Sequence, residues 1–176
     1  MEAIEYYTYS DYKYWDGEWE LIDGVPMAMS PAPMIRHQVL AYRVAMELDR
    51  SIEDKCDRCL VFGEADYKVD EVTLLKPDVV LLCDEPNLNH ITKAPEIVVE
   101  VISPSTARRD EKVKYEIYES EKVAYFVLVY PDDDRAKIYK LAEDGKYSKE
   151  GDFSVDSYRF EETLCKAVID WKRVFR

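Results

Sequence analysis

Glycine is scarce in this sequence, five in 176 residues and all scattered, which argues against a flexible Gly/Ser linker and against Gly-rich loops that cradle phosphates. No Gly-x-Gly-x-x-Gly, Walker or Gly-x-Ser-x-Gly pattern occurs, so nucleotide binding and serine hydrolysis have no motif behind them. Long apolar runs are missing as well: stretches such as Val79 to Cys83 and Ile97 to Val99 fall far short of the ~20 residues that span a bilayer. The opening MEAIEYYTYS has neither a basic nor an apolar leader segment, so no secretory or transit signal is recognised and a cytoplasmic, non-membrane protein is expected. Positive charge is in deficit, 24 Lys and Arg against 37 Asp and Glu for a net charge of -13. A general phosphate-binding surface is therefore excluded, and any nucleic-acid contact requires a local basic patch. Cysteine is limited to Cys56, Cys59, Cys83 and Cys165. The Cys56-Asp57-Arg58-Cys59 spacing is that of half a zinc site, but no second Cys or His pair follows, and free thiols are the expectation.

What remains is globular: 47% apolar and 35% charged residues, without internal repeats, consistent with one domain over residues 1–176. Trp19, Leu21 and Val25 around Asp23-Gly24 predict a β-hairpin between Glu18 and Ala28. His37, Leu40, Ala41, Val44, Leu48 and Ile52 recur at spacings of three and four, predicting an amphipathic helix from Met34 to about Glu53. Strands are expected over Cys59–Phe62, Ala65–Val69, Asp78–Cys83, Ile97–Ile102 and Ala124–Tyr130. Two of these, Asp78–Cys83 and Ile97–Ile102, are nearly continuous apolar runs, as in strands covered on both faces, so helices are expected on either side of the sheet. A helix from Ser105 or Thr106 to about Ser120 should turn Val113 and Ile117 inward, and an Asp132-Asp133-Asp134 turn leads into a hairpin strand over Arg135–Leu141. Residues 142–176 carry the weakest pattern: a Gly-containing polar loop, an apolar piece from Leu164 to Ile169 and a short terminal helix around Trp171 to Phe175.

The feature most in need of a chemical reason is Glu100, a carboxylate inside the apolar strand Ile97-Val98-Val99-Glu100-Val101-Ile102, because a buried acid must be paired, protonated or bound to a cation. Asp78 opens the preceding strand. If the two strands are neighbours, both acids point into one cleft and suit a hard divalent ion, Mg²⁺ or Mn²⁺; otherwise Glu100 pairs with a basic residue of the next helix. Lys114 is the candidate third member, able to orient water and stabilise phosphate charge. Its alternative is an exposed i,i+4 ion pair with Asp110. Arg108 and Arg109 form the basic cluster beside this cleft. His37 shares the apolar face of its helix and is either structural or a site residue. Glu20, on the first strand, faces either solvent or the cleft.

These residues stand in an order that resembles the Uma2 family, common in cyanobacteria and other bacteria and itself similar to PD-(D/E)XK restriction-endonuclease-like nucleases. The matching pieces are Glu20-Leu21-Ile22-Asp23-Gly24, His37 at the start of a helix, Lys76-Pro77-Asp78-Val79-Val80, Val98-Val99-Glu100-Val101-Ile102-Ser103-Pro104-Ser105-Thr106, then Asp110, Lys114, Tyr118 and Tyr125-Phe126-Val127-Leu128-Val129. The resemblance covers about residues 15 to 141. The resemblance implies an α/β (α+β) restriction-endonuclease-like fold: a central mixed β-sheet flanked by helices, with an N-terminal β-hairpin. It also implies hydrolysis of DNA phosphodiester bonds, with Asp78 and Glu100 as ligands of Mg²⁺ or Mn²⁺, Lys114 as the helix lysine that positions or activates water, and His37 and Glu20 as further catalytic candidates. Departures are Ile102, where the superfamily motif places a lysine, Glu121-Lys122-Val123 in place of a Gly-Val turn, and Phe126 in place of tryptophan. Two readings follow: a metal-dependent endonuclease, with a homodimer as the assembly suited to a two-stranded substrate, or an inactive relative that serves as a nucleic-acid-binding or protein-interaction module.

Overall fold

The computed structural model describes residues 5–29, 34–87 and 89–176. The Ser30–Pro33 connection therefore lies outside the described residues. A short helix α1 (Tyr9–Tyr12) precedes the hairpin β1 (Trp19–Ile22) and β2 (Val25–Ala28), which turns at Asp23 and Gly24, both at positive φ. Helix α2 (Ile35–Ile52) follows, then β3 (Cys59–Phe62), β4 (Tyr67–Lys68), β5 (Leu74–Leu75), β6 (Val79–Cys83) and β7 (Ile97–Val101). A π-helical stretch, Arg109–Lys114, runs directly into α3 (Tyr115–Ser120), and β8 (Tyr125–Tyr130), β9 (Arg135–Leu141), β10 (Tyr147–Phe153), β11 (Ser157–Arg159), β12 (Val168–Asp170) and α4 (Trp171–Val174) complete the chain.

Six strands form the central sheet in the order β10-β9-β8-β7-β6-β3. It is mixed: β7 and β8 are parallel, and the other neighbours are antiparallel. The parallel pair follows from the helical segment between them, since only a crossover can return the chain to the starting end of the sheet. All residues of β6 and β7 are buried, as expected for strands covered on both faces. One face carries Val79, Leu81, Val99 and Val127 against Leu40, Val44 and Leu48 of α2. The other carries Val80, Leu82, Val98 and Leu128 with Tyr118 of α3 and with Ile22 and Leu75 of a second, four-stranded sheet ordered β2-β1-β5-β4. That second sheet is the main departure from expectation. The hairpin does not extend the central sheet but pairs with β5, a two-residue strand too short to leave a periodic signal.

Three local expectations are corrected. The helix expected from Ser105 or Thr106 widens to a π-helix, and Val113 is exposed while Asp110 and Lys114 are buried. Residues 142–176 end in the expected short helix, here α4, but the expected polar loop is largely strand, with β10 pairing along β9 and β11 along β12. The cysteines are not isolated thiols: Cys83 and Cys165 meet Cys56 and Cys59, and the sulfurs pair as Cys56–Cys165 and Cys59–Cys83. Spacing could not reveal this, because the partners are 109 and 24 residues apart.

Helix α3 ends in a Schellman motif, with Val123 N–H donating to the Tyr118 carbonyl at 3.1 Å and Lys122 N–H to the Glu119 carbonyl at 3.2 Å. Lys122 occupies the left-handed position at φ +64°, the place where glycine is normally found and where the resemblance above also expects it. A side chain there costs about 1–2 kcal/mol, so Lys122→Gly is expected to raise the urea midpoint by an amount equivalent to ~0.5–1 kcal/mol after the added unfolded-state entropy of ~0.4–1 kcal/mol is deducted; an unchanged or lowered midpoint would refute the assignment.

Candidate active site

The register of β6 against β7 pairs Val79 with Val99 and Val80 with Val98, which carries Asp78 to the position across from Glu100. Facing residues of an antiparallel pair project to the same side, here the side of Val80 and Val98 that α3 covers. Asp78 is fixed by its own backbone surroundings. Its Oδ2 accepts the Val101 N–H at 2.7 Å, and a Cβ at Gly63 would come within 2.1 Å of its carbonyl oxygen, so only glycine lets the strands approach here.

Lys114 descends from the π-helix into a nest of acids. Its Nζ lies 2.7 Å from Glu20 Oε1, 3.0 Å from Glu100 Oε1 and 3.4 Å from Asp110 Oδ1. Glu20, Glu100, Asp110 and Lys114 are each at most 2% exposed. Tyr118 donates its hydroxyl to Glu100 Oε1 at 2.8 Å, and the Lys76 N–H donates to Glu20 Oε1 at 3.0 Å. The π-helix makes this possible: its wide turn brings Asp110 and Lys114 to the inner side one turn before Tyr118. On the far side of Asp78, His37 Nε2 from α2 lies 3.3 Å from Oδ2. These groups line or border a cleft of about 630 Å³, whose wall includes His37, Asp78, Glu100, Arg109, Asp110 and Lys114.

Every sequence candidate thus converges on one place. The expected neighbourhood of Asp78 and Glu100 is found, and so is the pairing of Glu100 with a lysine of the following helix; the two are compatible. The exposed Asp110–Lys114 pair is corrected to a buried one. Glu20, undecided from alternation alone, faces inward with no exposure. The spacing by four of Asp110, Lys114 and Tyr118 already puts them on one helical face in the sequence, but sequence reasoning turned the Val113 and Ile117 face inward instead and so missed Asp110 as an interior acid and Tyr118 as a donor.

Three buried acids surround one lysine, and the imbalance leaves its mark. Burial pushes the Glu100 carboxyl well above its usual value, with Lys114 opposing and the charges of Asp110, Asp78 and Glu20 adding to the rise. Burial likewise raises Asp110, against Lys114. Burial alone would lower the Lys114 pKa, but Glu100, Glu20 and Asp110 reverse that and hold it as an ammonium. Burial also draws the His37 pKa down, and the hydrogen bond and charge of Asp78 more than offset it, for a net rise. Glu20 Oε2, Asp110 Oδ1 and His37 Nδ1 are buried without a hydrogen-bond partner, although Arg109 Nε lies 3.4 Å from Glu20 Oε2 and Lys114 Nζ 3.4 Å from Asp110 Oδ1. Surplus acid and unmatched acceptor atoms are the donor set that fits a hard cation.

The Uma2 family model, described as "Putative restriction endonuclease", matches residues 5–164. The chain belongs to the Uma2 family. Among solved structures it is similar, at 15% identity and a TM-score of 0.74, to a protein from Anabaena variabilis ATCC 29413 titled a "putative nuclease belonging to DUF820", with 96% of this chain and 97% of that chain covered. The type IIG restriction endonuclease BpuSI aligns at 15% identity and a TM-score of 0.46 over 85% of this chain and 17% of its own. No curated protein matches. The Anabaena likeness shows the restriction-endonuclease-like fold expected above, and Uma2 membership supports a nuclease-like function.

The charge imbalance can be measured. Lys114→Met removes the one cation shared by three acids and is expected to cost about 3–5 kcal/mol in urea unfolding, whereas Glu100→Gln keeps an acceptor for Lys114 and Tyr118 and should stabilise the metal-free protein by ~1 kcal/mol. The sign with pH follows. Glu100, Asp110 and His37 all hold protons more tightly folded than unfolded, so the folded state binds more protons and stability falls as pH rises above the usual carboxylate value near 4.5. Tm should fall between pH 5 and pH 8, and Glu100→Gln should flatten the slope; a slope unchanged by Glu100→Gln would overturn this account.

Proposed function

We infer that this Uma2 protein is a divalent-metal-dependent endonuclease acting on DNA, with Asp78 and Glu100 as the metal ligands. The observation that supports this best is the placement of the two acids across the β6–β7 register at a cleft, with Lys114 bridging Glu20 and Glu100 behind them. Both contacts named for Asp78 fall on Oδ2, and both for Glu100 on Oε1, so Asp78 Oδ1 and Glu100 Oε2 are not engaged by them. Mg²⁺ or Mn²⁺ held there would supply Lewis-acid stabilisation of a phosphodiester and acidify water.

The chain's own groups divide the remaining work. Lys114, held as an ammonium by its acids, has no proton vacancy, so it orients and stabilises negative charge and does not act as a base. Proximity of the ammonium to Glu100 also compensates for Ile102 at the usual lysine position, since the cation arrives from the following helix. His37, fixed through Nε2 to Asp78 and with Nδ1 unpartnered, is the group placed to accept or relay a proton. Arg109 at the cleft and the exposed Arg108 beside it provide positive charge for a phosphate backbone on a chain that is otherwise acidic. Two strands of a duplex call for two sites, and a homodimer meets that requirement.

Supercoiled plasmid at low salt tests the proposal. Nicking is expected with Mg²⁺ or Mn²⁺, absent with EDTA, and reduced at least ~100-fold in an Asp78→Ala/Glu100→Ala variant purified identically. Equal nicking by both proteins, or none by either, would favour the binding-module reading. Thermal denaturation provides the second check: ionised carboxylates bind metal and protonated ones do not, so Mn²⁺ should raise Tm more at pH 8 than at pH 6 in the wild type and not in the double variant.

A further inference from the structure

At the opposite end of β6 from Asp78, about 17 Å away along the strand, the four cysteines of the chain form one cluster. Cys56 lies in the turn after α2, Cys59 opens β3, Cys83 closes β6, and Cys165 lies between β11 and β12. Cys59 and Cys83 are direct partners in the β3–β6 register. Cys59, Cys83 and Cys165 are buried within the core that includes Leu48 and Ile52, and Cys56 packs against it. The structure joins them at bonding distance as two pairs, Cys56–Cys165 and Cys59–Cys83, and the pairs adjoin: Cys59 Sγ lies 2.9 Å from Cys165 Sγ and 3.5 Å from Cys56 Sγ. The sulfurs of Cys56, Cys59 and Cys165 are all within 4.8 Å of one another, and the sulfur of Cys83 adjoins Cys59.

We propose that these four thiolates hold one structural Zn²⁺, independently of the acidic cleft. Four sulfur donors converging from four places in the fold match the all-cysteine tetrahedral set that zinc prefers. A Zn–S bond of about 2.3 Å places the sulfurs of such a site ~3.8 Å apart, so once both pairs are thiols small side-chain rotations suffice. The Cys56-x-x-Cys59 turn delivers two ligands from one short loop, the local half of a zinc site; Cys83 and Cys165 complete it across the sheet edge. Four protein ligands leave no open position, so the ion would be structural and not catalytic. It would tie three things together: the end of α2, the outermost strand β3 and the C-terminal segment. From the four reduced thiols, binding releases their protons and involves no change of oxidation state; the bridged pairs would first require reduction by a cellular thiol, two electrons for each disulfide.

The full chain carrying Asp78→Ala/Glu100→Ala, which removes the proposed ligands of the cleft, is purified without chelator and analysed for metal by mass spectrometry. One zinc per chain is expected, with all four cysteines alkylated after unfolding in EDTA without reductant. Replacement of zinc by Co²⁺ should produce the near-ultraviolet thiolate-to-cobalt charge-transfer band, and Cys59→Ser should abolish stoichiometric zinc. If Cys59→Ser does not fold, the partly exposed Cys56→Ser reads the same loss. Zinc-free protein with no alkylatable cysteine would establish two disulfides and overturn the proposal, as would four free thiols without metal or iron in place of zinc.

Discussion

The ammonium of Lys114 is the group on which this structure turns. It sits in the interior between Glu20, Glu100 and Asp110, which belong to three different elements: the small sheet, the central sheet and the π-helix. A buried cation is tolerated only where it is paired and hydrogen-bonded, and Glu20 and Glu100 meet it at 2.7 and 3.0 Å while Asp110 adds its charge from 3.4 Å. The same contacts fasten the small sheet and the crossover helix to the central sheet. Even with Arg109 3.4 Å from Glu20 Oε2, two cations do not neutralise Glu20, Glu100, Asp110 and the neighbouring Asp78. The arrangement is therefore electrostatically unfinished, which is a cost for a domain held only by packing and a natural condition for one that receives a cation.

Much of the central sheet was legible because its strands obey simple patterns. The apolar runs at Val79–Cys83 and Ile97–Val101 are buried on both faces, and the alternation at Arg135–Leu141 belongs to a strand with one wetter face. What escaped was short or distant in sequence. A two-residue strand such as Leu74–Leu75 has no period to detect, and β10, with exposed residues through most of its length, resembles a polar loop until its pairing with β9 is seen. The helix after β7 was anticipated, but its face was not. An α-helical period turns Val113 inward, whereas the π-helical turn gives that side to Asp110 and Lys114. The need to bury a paired lysine overrode the apolar preference.

For the site, chemistry guided better than propensity. Glu100 drew attention because an acid in an apolar strand demands a partner, and the structure supplies two, Lys114 and Tyr118. Glu20 was ambiguous because alternation places a residue on a face without saying which face is covered; the second sheet decides that, and it was not foreseen. The cysteines show the opposite limit. Two of them carry a recognisable spacing, while the other two reach the cluster only through tertiary folding, which no local reading contains.

The pairing of β6 with β7 carries a consequence for how the chain can vary. Side chains alternate across a strand, so a slip of one residue would send Asp78 to the α2 face and expose the apolar set of β6 to the wrong neighbours. Packing and site assembly thus share a single registration error. Substitutions among Val79, Val80, Val98 and Val99 that loosen this alignment would be punished twice, by a poorer core and by separated carboxylates. The hydrophobic letters between the two acids therefore act as the ruler that sets the distance between them, and drift there is constrained even though none of those residues touches a ligand.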